Sequence, residues 1–294
     1  MIPLGLMVAL EFTSTRIENA LTTAYVGHPV YYWPTIGSTM DEARRLIKER
    51  SLSGVSEGTV VIADEQTAGR GRLQRTWWAP AGTSLLLSLI LCPPLLPRQA
   101  QRLTMICSLA VCNAITQVTG LHAQVKWPND VLIGARKVCG ILTELDVLGT
   151  RLNYAIVGIG INVNVDLNDA PPFASPATSL LAEIGGPTLR LDLLVAVLSG
   201  IERRYQALRE GRSFHKEWAR RMATLGHHVQ VTSGSDQWSG LATAVDRDGA
   251  LLLRLEDGST RRVLSGDVTL RSPGNGDKHR PIQGNYIEEK HTPE

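Results

Sequence analysis

Residues 69–78 gather three guanidinium groups and two aromatic rings: Gly69-Arg70-Gly71-Arg72, then Arg75, then Trp77-Trp78. The two glycines permit positive φ and close approach of the backbone to a ligand. The guanidinium forks match the oxygens of a phosphate or a carboxylate. The aromatic pair can stack on a base or pack in a core. The chemistry that suits this set is the handling of an acyl phosphate or a nucleotide. A solvated basic turn, or an RNA-binding Gly/Arg segment, fits the same residues.

Three further stretches carry polar groups at strand ends. In Lys126-Trp127-Pro128-Asn129-Asp130, Pro128 biases Trp127 toward extended geometry and ends a strand. A carboxylate at that exit can hold Mg2+ or orient an attacking amine, and an ordinary Asn-Asp turn has the same sequence. Lys137 follows, leading into a strand that contains Gly140. It can reach an anion in the same cavity or stand exposed on a hairpin. Gly158-Ile159-Gly160-Ile161-Asn162 is a small-residue strand with a polar end. It lacks the third glycine and following helix of a dinucleotide fingerprint, so close backbone approach to a ligand is the better reading.

These residues need elements to position them. Ser38-Thr39-Met40-Asp41 matches a capping box ahead of a helix running to Arg50. Thr59–Ala63 and Ser84–Leu91 read as buried strands, with a polar loop over 66–76 between them. Residues 98–118 have helical apolar spacing and Gly120 supplies a stop. Short strands at 124–127 and 131–133, a hairpin through Gly134-Ala135-Arg136, and strands over 138–147 and 152–163 follow. Residues 164–177 read as a loop, and 191–209 and 213–223 as helices.

The pattern changes near residue 226. From His227 to Leu270 it becomes short strands with turns at Asp248-Gly249 and Asp257-Gly258, as in a small SH3-like β-barrel. The expected organisation is an N-terminal lead-in over 1–29, a catalytic domain over 30–224, the barrel over 225–271 and a disordered tail over 272–294. The fold class is α+β.

Composition narrows the class. The chain has 294 residues, enough for more than one domain, and its 43% hydrophobic and 20% charged residues are ordinary for a globular protein. A net charge of +2, from 30 basic and 28 acidic residues, gives no reason to expect non-specific nucleic-acid binding. The four cysteines, Cys92, Cys107, Cys112 and Cys139, form no C-x-x-C pair and read as buried thiols in a reducing compartment. The apolar stretch at residues 1–10 has no preceding basic residue and no cleavage signal, and no segment is long enough to span a membrane. A cytoplasmic enzyme is expected.

Taken together the motifs are specific. Gly69-Arg-Gly-Arg-Leu-Gln-Arg-Thr-Trp77, Lys126 to Asp130, Lys137-Val-Cys-Gly-Ile-Leu-Thr-Glu144 and Gly158 to Asn162 occur in an order and spacing that resembles the biotin protein ligases. Their signature runs G-R-G-R-x-G-R-x-W, K-W-P-N-D, K-x-x-G-I-L-x-E, G-x-G-x-N. The resemblance covers residues 30–271. It implies a mixed-sheet catalytic domain of the biotin/lipoate ligase type, followed by the small barrel. Two departures stand out: Gln74 replaces a glycine of the loop, and Met40 replaces the Asn that usually follows Ser-Thr.

The resemblance implies a two-step reaction. Biotin and ATP give biotinyl-adenylate, and a lysine of a biotin carboxyl carrier protein then takes the biotin. By motif match, Arg72, Lys137 and Asp130 are the catalytic candidates. Ser38, Thr39, Met40, Gln66, Arg70, Gly71, Arg72, Lys137 and Gly140 are the biotin-binding candidates. Trp77, Lys126, Asn129, Asn162 and Arg271 are those for ATP, with Trp77 stacking on adenine and Gly140 and Gly160 leaving room for ligand. Asp130 is also the candidate for Mg2+. A homodimer is expected to pair through the catalytic sheet. About 30 residues precede the catalytic pattern and show no helix-turn-helix, so a ligase without DNA binding is expected. Lipoate or octanoyl transferases are the rival enzyme class, and a DNA-binding regulator the rival non-enzyme.

Overall fold

The computed structural model describes residues 12–168, 170–171 and 175–270. The first element among the described residues is a short helix, α1 (Ser14–Ala20), capped by Thr13 Oγ1, which accepts the Arg16 N–H. It lies within the stretch expected as a lead-in, yet Phe12, Ile17 and Val26 join the main core. Glu202 holds the chain beyond α1, accepting the backbone N–H groups of Ala24, Tyr25 and Val26.

The catalytic sheet has seven strands: β1 (Val30–Ile36), β2 (Val60–Gln66), β3 (Ser84–Leu91), β4 (Ala123–Lys126), β5 (Asp130–Ile133), β6 (Arg136–Leu148) and β7 (Arg151–Asn162). Their order is β1-β2-β3-β7-β6-β5-β4. Only β1 and β2 pair in parallel, so a crossover must join them. Helix α2 (Thr39–Arg50) is that crossover. Its apolar side buries Met40, Ala43, Leu46 and Ile47 with Val61, Ile90 and Ile156 of the sheet.

The opposite face of the sheet carries α3 (Gln101–Thr119) and α5 (Arg190–Arg209), with α4 (Leu180–Ile184) between β7 and α5 in sequence. Leu85, Leu87, Leu89 and Leu91 of β3 belong to this larger core, while Ile90 belongs to the α2 cluster. A strand covered on both faces reads as a continuous apolar run, as 84–91 does. Gly120 ends α3 in the left-handed region at φ 74°. The helix expected over 213–223 is shorter, α6 (His215–Arg220). The chain leaves it because β4 captures its backbone: Val125 N–H donates to Arg221 O, and Ala223 N–H to Val125 O.

The second sheet contains β8 (His228–Ser233), β9 (Asp236–Val245), β10 (Leu251–Arg254), β11 (Thr260–Val263) and β12 (Asp267–Leu270), in the order β11-β10-β9-β8-β12. It is antiparallel throughout and forms the small barrel-like unit. Asp246 Oδ1 accepts the N–H groups of Asp248 and Ala250, closing the turn at Gly249. The two units are joined through Trp127. Its indole N–H donates to Gly249 O at 2.9 Å, while Arg102 makes a two-pronged ion pair with Asp248. The fold is thus α+β, as expected. Residues 272–294, expected as a tail, and Arg271 lie outside the described residues. Among the described residues no helix is long and apolar enough to cross a membrane.

Candidate active site

A cleft of about 670 Å³ lies along the sheet and receives every expected site residue that is described. Strand β7 orders it. Gly158, Gly160 and Asn162 point to one face at successive alternate positions. At Gly158 a Cβ would lie 2.8 Å from the Met40 sulfur; at Gly160 it would lie 2.6 Å from Trp77 Cε2. At Gly140, on the neighbouring β6, it would lie 2.9 Å from Trp77 Cζ3. Gly140 and Gly160, expected to leave room for ligand, therefore make room for the Trp77 indole, and Gly158 does so for the Met40 thioether.

Near Met40 stand Ser38, Thr39 and Gln66. Ser38 occupies the N-cap position of α2 without a side-chain capping bond, which corrects the capping-box expectation. Gln66 does that work across the sheet. Its Oε1 accepts both the Thr39 N–H at 2.8 Å and the Thr39 hydroxyl at 3.0 Å. Thr39 Oγ1 also lies 2.8 Å from Ser88 Oγ of β3. Ser88 is fully buried, and nothing in the sequence pattern of an apolar strand singled it out.

Beside Trp77 lies the charged group. The Lys137 ammonium is 2.7 Å from Asp130 Oδ1, across the β5–β6 hairpin, and 5.5 Å from the Trp77 ring centre. Asn129 Nδ2 donates to Ile141 O, which leaves its carbonyl to accept from Arg72 Nη1 at 3.2 Å. Lys126 pairs in register with Asp130 at the mouth of the β4–β5 turn, lines the cleft and forms no ion pair among the described residues. Asn162 is buried and donates to Thr178 O.

The loop over 69–77 folds back on itself. Trp77 N–H donates to Gly69 O and Gly71 N–H to Arg75 O. Its tip, Arg72–Gln74, is a turn in which Leu73 and Gln74 sit at φ 53° and 59°. Gln74 thus takes a left-handed conformation that costs a non-glycine residue energy. Arg70 turns outward to Asp41 at 2.5 Å, in a ring of charges with Arg44 and Glu144. Arg72 turns inward and reaches the second unit, where its Nη1 donates to Gly266 O at 3.0 Å. Burial lowers the Arg72 pKa, and attraction to Asp267 and Asp130 opposes that shift. Arg75 also pairs with Asp267. The second unit therefore lines the cleft with Asp267, Val268 and Thr269.

Sequence and structure comparisons agree with this arrangement. Residues 32–162 match the biotin/lipoate A/B protein ligase family and residues 224–271 the biotin protein ligase C-terminal domain. The bifunctional ligase/repressor BirA of Bacillus subtilis (strain 168) is 33% identical over 263 residues, covering 88% of this chain and 79% of that protein. This chain belongs to the biotin protein ligase family. The biotin--[acetyl-CoA-carboxylase] ligase of Paracoccus denitrificans is 35% identical over 227 residues, 74% of this chain and 90% of that one. Among solved structures, the biotin protein ligase from Aquifex aeolicus in complex with biotin and ATP superposes with a TM-score of 0.69 at 31% identity. It covers 82% of this chain and 98% of that one.

Within a biotin protein ligase, the arrangement can bring two anions together. Lys137, Lys126 and Arg72 are cations lining one cleft. Motif reading missed Ser88, which stands behind the cleft residue Thr39, and Asp267, which lines the cleft beside Arg72. Both belong to elements whose local sequence gives no sign of the cleft they serve.

Proposed function

We propose that this ligase joins biotin to ATP and transfers the biotin to a lysine of a biotin carboxyl carrier protein. The observation that carries the reading is the single cleft in which Lys137, Lys126 and Arg72 face the Thr39–Gln66 polar end across the Trp77 platform. A biotin carboxylate oxygen attacks the α-phosphorus of ATP, and the bond to pyrophosphate breaks. Lys137 and Arg72 offset the repulsion between the two anions and stabilise the charge that builds in the transition state. In the second step the carrier amine attacks the acyl carbon, the carbon–oxygen bond to AMP breaks, and Asp130 orients the amine and takes its proton.

Ser38, Thr39, Met40, Gln66, Gly71 and Gly140 surround biotin. Arg70 contributes from the loop base, held by Asp41. Trp77, Asn129 and Asn162 serve the nucleotide, with Lys126 on its phosphates. Mg2+ enters as MgATP. The cleft carboxylates Asp130 and Asp267 are each ion-paired, and among the described residues no group of three His, Cys, Asp or Glu could hold a metal. Asp130 would be the cleft residue to hold the ion, which would offset the charge of the ATP phosphates.

A homodimer through the outer edge of β6 is part of this reading. Pairing with β5 ends at Gly140, and Leu145, Val147 and Leu148 beyond it are exposed. Light scattering on Val147→Lys tests it, with a monomer expected. A cytoplasmic location suits four free cysteines, and the balanced charge favours a ligase that does not bind duplex DNA. The test of function is incubation with MgATP, labelled biotin and a carrier domain. Label on the carrier is expected; lipoate accepted in place of biotin would overturn the reading.

A further inference from the structure

Ser88 is a fully buried hydroxyl set against an apolar layer. It faces the α2 side of the sheet with Ile90, two residues along the same strand. Its neighbours in register are Val61 on β2 and Gly158 on β7. An unsatisfied hydroxyl there would be costly, and its partner is Thr39 Oγ1 at 2.8 Å.

The protons in this chain can be counted. Thr39 has one hydroxyl proton, and it goes to Gln66 Oε1. The proton between Ser88 and Thr39 must then come from Ser88. Gln66 Oε1 is occupied by two donors from Thr39, so its amide NH2 is the donor left to the cleft. With its proton on Gln66 and one lone pair taken by Ser88, the Thr39 oxygen has only an acceptor site left. Thr39 and Gln66 both line the cleft, while Ser88 stands behind them. One acceptor beside one NH2 donor complements a cyclic urea, whose carbonyl accepts and whose N–H groups donate.

We propose that Ser88 is a positioning residue that fixes the polarity of Thr39 and so tunes this end of the cleft to the urea ring of biotin. The proposal rests on the biotin reading above. Without Ser88 the Thr39 oxygen loses the donor that favours this rotamer, so its hydroxyl can turn from Gln66 into the cleft, and the pocket no longer distinguishes a urea from a group that needs the opposite polarity.

The experiment compares wild type, Ser88→Ala and Ser88→Cys in ATP–pyrophosphate exchange driven by biotin or by 2-iminobiotin, with Tm measured alongside. Ser88→Ala should raise the KM for biotin roughly fivefold to tenfold. KM for ATP and kcat at saturating biotin should stay within about twofold, since no hydrogen bond to the nucleotide is lost. The preference for biotin over 2-iminobiotin should narrow by a similar factor, because the acceptor–donor pair that matches a urea and opposes a protonated guanidine is no longer held in place. Ser88→Cys, with a weaker S–H donor of similar volume, should fall between, and it carries the comparison if Ser88→Ala does not fold. An unchanged biotin KM, or equal rises in both KM values with a lower Tm, overturns the proposal. A wild-type enzyme inert to biotin overturns the biotin reading and the proposal with it; an active one indifferent to both substitutions overturns the proposal alone.

Discussion

Arg72 and Asp267 meet across the two structural units, with Arg72 Nη1 3.5 Å from Asp267 Oδ1. The glycine-rich loop is therefore fastened at its tip to the second unit as well as to Asn129. A loop tied in this way would shield a mixed anhydride from water and from stray amines. Arg72→Gly removes all three ties. Biotinyl-adenylate should then escape and label lysines of bystander proteins, with the rate of adenylate release rising by at least about tenfold. Adenylate retention equal to wild type would show that the tie has no such role.

Gln74 is the second of two successive left-handed residues at the loop tip, at φ 59°. Glycine adopts that conformation without a Cβ penalty, whereas a non-glycine residue gives up about 1 kcal/mol or more. Gln74→Gly should relieve this cost and slow amide hydrogen exchange at the loop tip. Gln74→Val, branched at Cβ, should speed it. Equal exchange in both variants would mean that the tip carries no such strain.

Trp127 fastens the second unit, its indole N–H bonded to Gly249 O and its own N–H to Thr224 Oγ1. Trp127→Phe keeps most of the buried ring but strands the Gly249 carbonyl, a loss of about 1–3 kcal/mol. Urea denaturation should read that loss. The KM for ATP should rise with it, because Asp267 and Thr269 reach the cleft from the unit that Trp127 holds. A change below about 0.5 kcal/mol would place the coupling elsewhere.

The buried thiols make stability fall at alkaline pH. Burial pushes Cys107 and Cys112 up to about 12 from 9.0 and raises Cys139 well above it. Between these values the unfolded chain loses thiol protons that the folded chain keeps. The contribution is therefore complete below pH 9.0 and declines as pH rises toward 12. Urea midpoints should drop over this window, and less steeply in Cys107→Ala/Cys112→Ala. Parallel slopes would assign the decline to other groups.

Much of this was legible in the sequence. Strand 84–91, the Gly120 stop, the hairpin at Gly134 and the two Asp-Gly turns follow from local rules, because period, left-handed glycines and turn chemistry act over a few residues. The charged motifs gave the cleft its anion chemistry. What stayed hidden depends on contacts distant in sequence. Ser88 reads as an ordinary strand residue until α2 places Thr39 on it. Asp267 reads as a surface carboxylate until Arg72 reaches it. Gly160 reads as space for a ligand until the 69–77 loop delivers Trp77. Ser38 and Asp41 fit a local capping rule, but Gln66, on β2, supplies the bond to the α2 N-terminus and so bypasses it.

The central claim is that this cleft activates the biotin carboxylate on ATP, with Lys137 offsetting the charge. Biotin-dependent exchange of labelled pyrophosphate into ATP reads that step without any carrier protein. Exchange should require biotin, ignore lipoate, and fall by about 100-fold or more in Lys137→Ala. Exchange driven by lipoate but not by biotin, or full exchange in Lys137→Ala, would contradict it.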